Sequence, residues 1–160
     1  MAYQMSNDGG ALGSLNPAIR FNQSGAESTS REGVYAERLN AKVGEPVTLR
    51  AMIQDRGVRA KYPENKMMLY PPGTEWIMHQ GPAAPSFSLA KVTGKERADG
   101  AGESAVKGNN GWSEVATEAT FAAPGDYIIR LRVDNFEADD SQFDNQCCWS
   151  NAYVPVTVSE

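Results

Sequence analysis

The stretch Ala119-Thr120-Phe121-Ala122-Ala123-Pro124-Gly125-Asp126-Tyr127-Ile128-Ile129-Arg130-Leu131-Arg132-Val133-Asp134 decides the fold. It reads as strand, Pro-Gly corner, strand. In its second half Tyr127, Ile129, Leu131 and Val133 fall on one face, and Ile128, Arg130, Arg132 and Asp134 fall on the other. A period of two sets one face against a core and leaves the other mostly wet. Such a strand needs a second layer over its apolar face, which a pair of stacked sheets supplies.

The same pattern recurs on either side of this stretch. Val43-Gly44-Glu45-Pro46 reads as a turn, after which Val47, Leu49, Ala51 and Ile53 share one face of a strand that Asp55-Arg56-Gly57 closes. Tyr70-Pro71-Pro72-Gly73 forces a tight turn ahead of a strand Glu75 to Gln80, whose Trp76 suits the centre of a core. Strands are also expected at Ala18 to Phe21, Val34 to Leu39, Ser86 to Val92 and Trp112 to Phe121. In a last strand from Ala152 to Val158, Ala152, Val154, Val156 and Val158 share a face. Tyr153 is out of phase with them and is expected to point outward. Residues 93–111 read as a long loop, and no segment reads as a helix. Residues 1–16, rich in Gly, Ser and Asn, read as a flexible leader to a single domain at 17–160. The total is about seven strands in an all-β antiparallel sandwich with long loops.

A chain of 160 residues can bury roughly two-thirds of its unfolded surface in one domain. The 15 Lys and Arg against 20 Asp and Glu give a net charge of -5. Phosphate binding needs a basic face, so this balance argues against nucleic acid and against anionic membranes. No apolar run approaches the ~20 residues of a membrane span.

Three segments together resemble the PKD-like, immunoglobulin-like domains of bacterial secreted and surface proteins. They are Val43 to Ala51 ending at Asp55; Trp76 followed by Gly81-Pro82 and Phe87-Ser88; and Ala119 to Val133, closed by Val154-Pro155-Val156-Thr157-Val158. In order and spacing they are similar to strands B, C, E–F and G of that family. The resemblance implies an immunoglobulin-like sandwich in which the Tyr127 hydroxyl ties down the Pro-Gly corner. It also implies a spacer or adhesion module at the cell surface or outside the cell, without catalysis. The family's connections are shorter than 58–75 and 134–151 here, so these loops are where a binding site is expected.

Asp134, Asn135, Glu137, Asp139, Asp140, Asp144 and Asn145 crowd one loop, with Asp55 at the end of a neighbouring strand. Calcium takes six to eight oxygen ligands, and Asp55, Asp134, Asp139, Asp140 and Asp144 are the candidate set. The spacing is not that of an EF-hand, and a solvated loop explains it equally. Cys147 and Cys148 are adjacent. Their Cα atoms lie about 3.8 Å apart, so a bond between them would be a strained vicinal disulfide; the plainer reading is one buried thiol and one partly exposed. The lone His79 reads as a surface or half-buried strand residue. Tyr70, Trp112, Phe143, Trp149 and Tyr153 could together form a platform on which sugar rings stack.

Two functions follow. The first is a non-catalytic binding or structural module that contacts neighbouring domains, other chains (further copies of itself included) or glycan through end loops or sheet edges. The second is a small calcium-dependent or metal-binding protein or enzyme built on 134–145.

Overall fold

The computed structural model describes residues 15–23, 25–56, 71–100, 111–135 and 148–160. Among them are nine strands and one short helix: β1 (Ala18–Arg20), β2 (Leu39–Lys42), β3 (Val47–Gln54), β4 (Gly73–Gln80), β5 (Ser86–Phe87), β6 (Lys91–Val92), α1 (Gly94–Ala98), β7 (Ser113–Thr120), β8 (Gly125–Asp134) and β9 (Trp149–Ser159). They form two sheets, in the orders β1-β3-β7-β5 and β2-β9-β8-β4-β6.

The two sheets close on one core because the period-two rows face each other. Leu49, Ala51 and Ile53 of β3, with Val115 and Ala119 of β7, meet Trp76, Ile129, Leu131, Val133, Val154 and Val156 from the other layer. Ile129, Leu131, Val133 and Val156 are fully buried. Burial of a Val, Leu or Ile side chain contributes about 1.5–3 kcal/mol, so these inward rows hold the layers together.

The strand order is that of an immunoglobulin-like sandwich. β1, β3, β7 and β5 occupy the A, B, E and D places; β9, β8 and β4 occupy G, F and C. β2 runs parallel to β9, with Leu39 opposite Val156, while the other ladders are antiparallel. The corner behaves as its sequence predicts: the Tyr127 hydroxyl donates to the carbonyl of Ala123 at 2.7 Å. Gly81 lies against the ring of Tyr127, where an added Cβ would come within 2.3 Å of Cδ1.

Four expectations need correction. Residues 86–92 do not form one strand: β5 joins β7 in one sheet, and β6 crosses to pair with β4 in the other. The 93–111 stretch is not wholly loop. Thr93 caps α1 with its hydroxyl on the Glu96 N–H (3.2 Å), while the Glu96 carboxylate accepts from the Thr93 N–H (2.8 Å). This reciprocal box was written in Thr93-Gly94-Lys95-Glu96. The Thr93 N–H, and then its hydroxyl, hold the Glu96 carboxyl below its ordinary value. The second strand sits at Leu39–Lys42 instead of Val34–Leu39, with Tyr35 making only an isolated bridge to Tyr153. Tyr153, expected outward and wet, is 8% exposed, because rings from two neighbouring segments close over it.

Candidate functional site

The outer face of the five-stranded sheet carries the most developed surface among the described residues. Its register places Tyr153 opposite Arg130, and Arg130 opposite Ile77. On the far side of β9, residues 30–36 extend the sheet edge. The N–H of Asn151 donates to Ser30 O at 3.0 Å, that of Tyr153 to Val34 O at 2.8 Å, and that of Ala36 to Tyr153 O at 2.8 Å. Gly33 makes this approach possible. It has φ +80, and a Cβ there would sit 2.7 Å from both the Asn151 carbonyl oxygen and Cε2 of Tyr153.

The parallel bridge at Tyr35 sets its ring flat on that of Tyr153, with centroids 5.0 Å apart and planes 23° apart. His79 also packs on Tyr153, tilted at 59° with centroids 5.1 Å apart. Tyr153 is thereby buried, whereas Tyr35 remains 61% exposed and His79 is exposed. Beside them Arg130 has a buried Nε with no hydrogen-bond partner among the described residues. The next row is polar and paired: Arg132 donates to Glu75 at 2.7 Å and lies 3.5 Å from Asp134. The face is thus an exposed ring fixed on a buried one, flanked by imidazole and guanidinium donors.

One end of the sandwich is clamped by buried polar groups. Asn135 is 2% exposed and bridges two segments, its Nδ2 donating to Leu15 O at 3.2 Å and its Oδ1 accepting from the Cys148 N–H at 3.0 Å. Ser150, fully buried, donates to Pro17 O at 2.6 Å.

Of the residues expected to form the stacking platform, the described ones, Trp112, Trp149 and Tyr153, do not make one exposed cluster. Trp112 is 5% exposed on the outer face of the other sheet, with the Arg20 guanidinium 3.9 Å from its ring centroid. Trp149 shares a face with Tyr153 but is covered by Arg31 at 3.5 Å. Tyr70 and Phe143 lie outside the described residues. So do Asp139, Asp140 and Asp144 of the calcium set. Asp55 is half-buried, Asp134 is 9% exposed and faces Arg132, and among the described residues no three of His, Cys, Asp and Glu gather as metal ligands. Cys148 is 3% exposed and disulfide-bonded; Cys147 lies outside the described residues. Tyr35 and His79 were missed as surface partners of Tyr153. Neither sits in an alternating run that would reveal which strand it neighbours.

No family model and no curated protein matches the chain. Among solved structures it is similar to domains 4 and 5 of the S-layer protein SbsC, at 14% identity and a TM-score of 0.41 over 91% of this chain and 54% of that one. It is also similar to the D00-D0 domain of intimin (13%, TM-score 0.40, 77% of this chain and 45% of that one). A third is a PapD-like domain of human CEP192 (8%, TM-score 0.41, 92% and 86%). The chain spans about half the length of the first two. The superpositions are loose, and the fold assignment stands on the strand order and the corner hydrogen bond.

Proposed function

We propose that this domain is a non-catalytic contact module of an extracellular or cell-surface bacterial protein, and that its outer five-stranded face meets a glycan. The observation that carries this reading is the Tyr35 ring, 61% exposed yet held flat on a buried Tyr153. A ring already fixed by its neighbour loses little conformational freedom when a ligand covers it, so more of the contact energy appears as affinity. A pyranose presents a flat face of C–H groups that packs on such a ring. Its rim of hydroxyls needs hydrogen-bond partners, and the same face carries His79 against Tyr153 and Arg130 opposite Tyr153 in the ladder. Adjacent domains or chains would meet the module at its ends and edges.

The test is affinity electrophoresis through gels containing soluble polysaccharides, together with co-sedimentation with purified bacterial cell wall. The expected result is retardation or sedimentation that Tyr35→Ala abolishes and Tyr35→Phe preserves. Equal behaviour of the native chain and Tyr35→Ala would remove the glycan role from this face.

A further inference from the structure

Among the described residues, β3 is only half covered on its outer edge. β1 pairs with its last three residues: Ala18 lies opposite Gln54, Ile19 opposite Ile53 and Arg20 opposite Met52. Beyond Arg20 the chain turns away, with the Gly25 N–H bonded to Asn22 O at 3.3 Å. It returns on the far side of β1, where Ile19 and Ser28 exchange backbone bonds of 2.9 and 2.8 Å. The backbone groups of Ile19 therefore point away from β3. In an antiparallel ladder the bonded and non-bonded pairs alternate, so Met52 and Gln54 are the residues whose N–H and C=O face β1. Two and four residues earlier, Arg50 and Thr48 aim the same groups the same way, and no described strand lies there. Both residues are exposed.

Beside this open half-edge lies a groove of about 230 Å³ between the two layers. Phe21, Leu39, Leu49 and Val154 contribute its apolar lining, and Thr48 and Arg50 stand at its rim. An unpaired backbone row next to an apolar slot is the arrangement that accepts an added strand: ladder bonds give affinity, and alternate side chains enter the slot.

We propose that Val47–Ala51 is an acceptor edge for the N-terminal segment, residues 1–6, of a second copy of this chain. Met1, Tyr3 and Met5 alternate with Ala2, Gln4 and Ser6, which sends one row to the slot and the other to solvent. Neither Gly nor Pro interrupts them, and unbranched Met adapts to an irregular gap. Six extended residues reach about 20 Å, enough to pair along the five-residue vacancy. Asn7 to Ser14, with Gly9, Gly10 and Gly13, forms the tether. A second copy is the simpler donor: Leu15 is held at the opposite end of the sandwich by Asn135, so the chain's own segment would have to double back along the length of β3. The flank of β1 along the direct route back is already taken by Ser28. The proposal rests on the contact-module reading only in requiring this folded domain, and it uses a different surface from Tyr35.

Amide hydrogen exchange at Thr48 and Arg50, read alongside light scattering over a concentration series, tests it on the full chain. The expected result is protection that rises on the order of tenfold with concentration, in step with mass. A chain beginning at Leu15 stays monomeric with both amides exchanging fast, and a synthetic peptide of residues 1–6 restores their protection. Thr48→Pro removes an outward N–H without breaking the β7 ladder and should abolish both assembly and peptide capture while leaving polysaccharide retention intact. Fast exchange at every concentration overturns the proposal. Protection independent of concentration means the chain fills its own groove, and it overturns the second copy as occupant. Loss of polysaccharide binding alone bears only on the outer face.

Discussion

The two layers of this sandwich are finished to different degrees. In the five-stranded sheet, β8 and β9 pair without interruption from Gly125 opposite Val158 to Asp134 opposite Trp149. Their outer edge is continued by β2 and by residues 30–36. In the four-stranded sheet, the central pair β3 and β7 is flanked by strands of three and two residues, and half of β3 has no outer neighbour among the described residues. The first layer can therefore display a rigid aromatic surface on a closed frame. The second retains a solvated backbone edge at Thr48 and Arg50 beside which no other described strand lies. One fold thus sets a surface of stacked side chains, where the ladder is complete, against a backbone edge, where β1 stops short, and each is proposed for one kind of contact.

The largest expected effect separates the layers by cavity formation. Leu131 and Leu49 are equally buried, but Leu49 borders the groove and Leu131 lies between two long strands. Leu131→Ala should cost about 3–5 kcal/mol and Leu49→Ala about 2–3 kcal/mol in urea unfolding, since neighbours at an open site relax more easily. Equal losses would show that the groove does not soften its surroundings.

A smaller effect is expected at the strap beside β9. Gly33→Ala combines a left-handed backbone with a Cβ driven into Asn151 O and the Tyr153 ring, for a cost of about 1–3 kcal/mol. Gly44 is the control, with φ +77 and nothing within 4 Å of an added Cβ; Gly44→Ala should cost only about 1 kcal/mol. Near-ultraviolet circular dichroism should change for the first and not the second, because only the first displaces the Tyr35–Tyr153 stack. Below these comes the corner. Tyr127→Phe removes one hydrogen bond of 2.7 Å, worth about 1 kcal/mol, and should lower the urea midpoint without altering glycan retention.

The smallest effect lies in α1. The Glu96 carboxyl is held below its ordinary value of 4.5 in the folded state. Its contribution is fully present above that unfolded value and is lost as pH falls through the lower folded one. Acidification should therefore lower the protection factors of the Thr93 and Glu96 amides, each taken relative to its intrinsic rate at that pH, before those of the sheets respond. Simultaneous loss in helix and sheets would contradict a local cap.

Much of the core was legible in the chain. Val47 to Ile53, Tyr127 to Val133 and Ala152 to Val158 each alternate in phase with burial, because every second residue of a strand meets the same layer. The corner was legible too, since Pro124-Gly125-Asp126-Tyr127 carries its own turn chemistry. Thr93-Gly94-Lys95-Glu96 carried the signal for α1, but Gly and charged residues around it read as loop. The split of 86–92 between two sheets left no trace, because two-residue strands are too short to show a period.

Local alternation and turn residues alone determined that this protein is a two-layer β-sandwich with its inward rows correctly placed, since both depend on neighbours along the chain. Which rings meet on the surface, and which strand edge stays open, only the tertiary structure decided. Tyr35 and Tyr153 are brought together by lateral pairing between distant segments, and the outward backbone groups of Thr48 and Arg50 lie beyond the end of β1, with no other described strand beside them. Side-chain periodicity reports which face a residue takes but carries no information about which strand lies beside it.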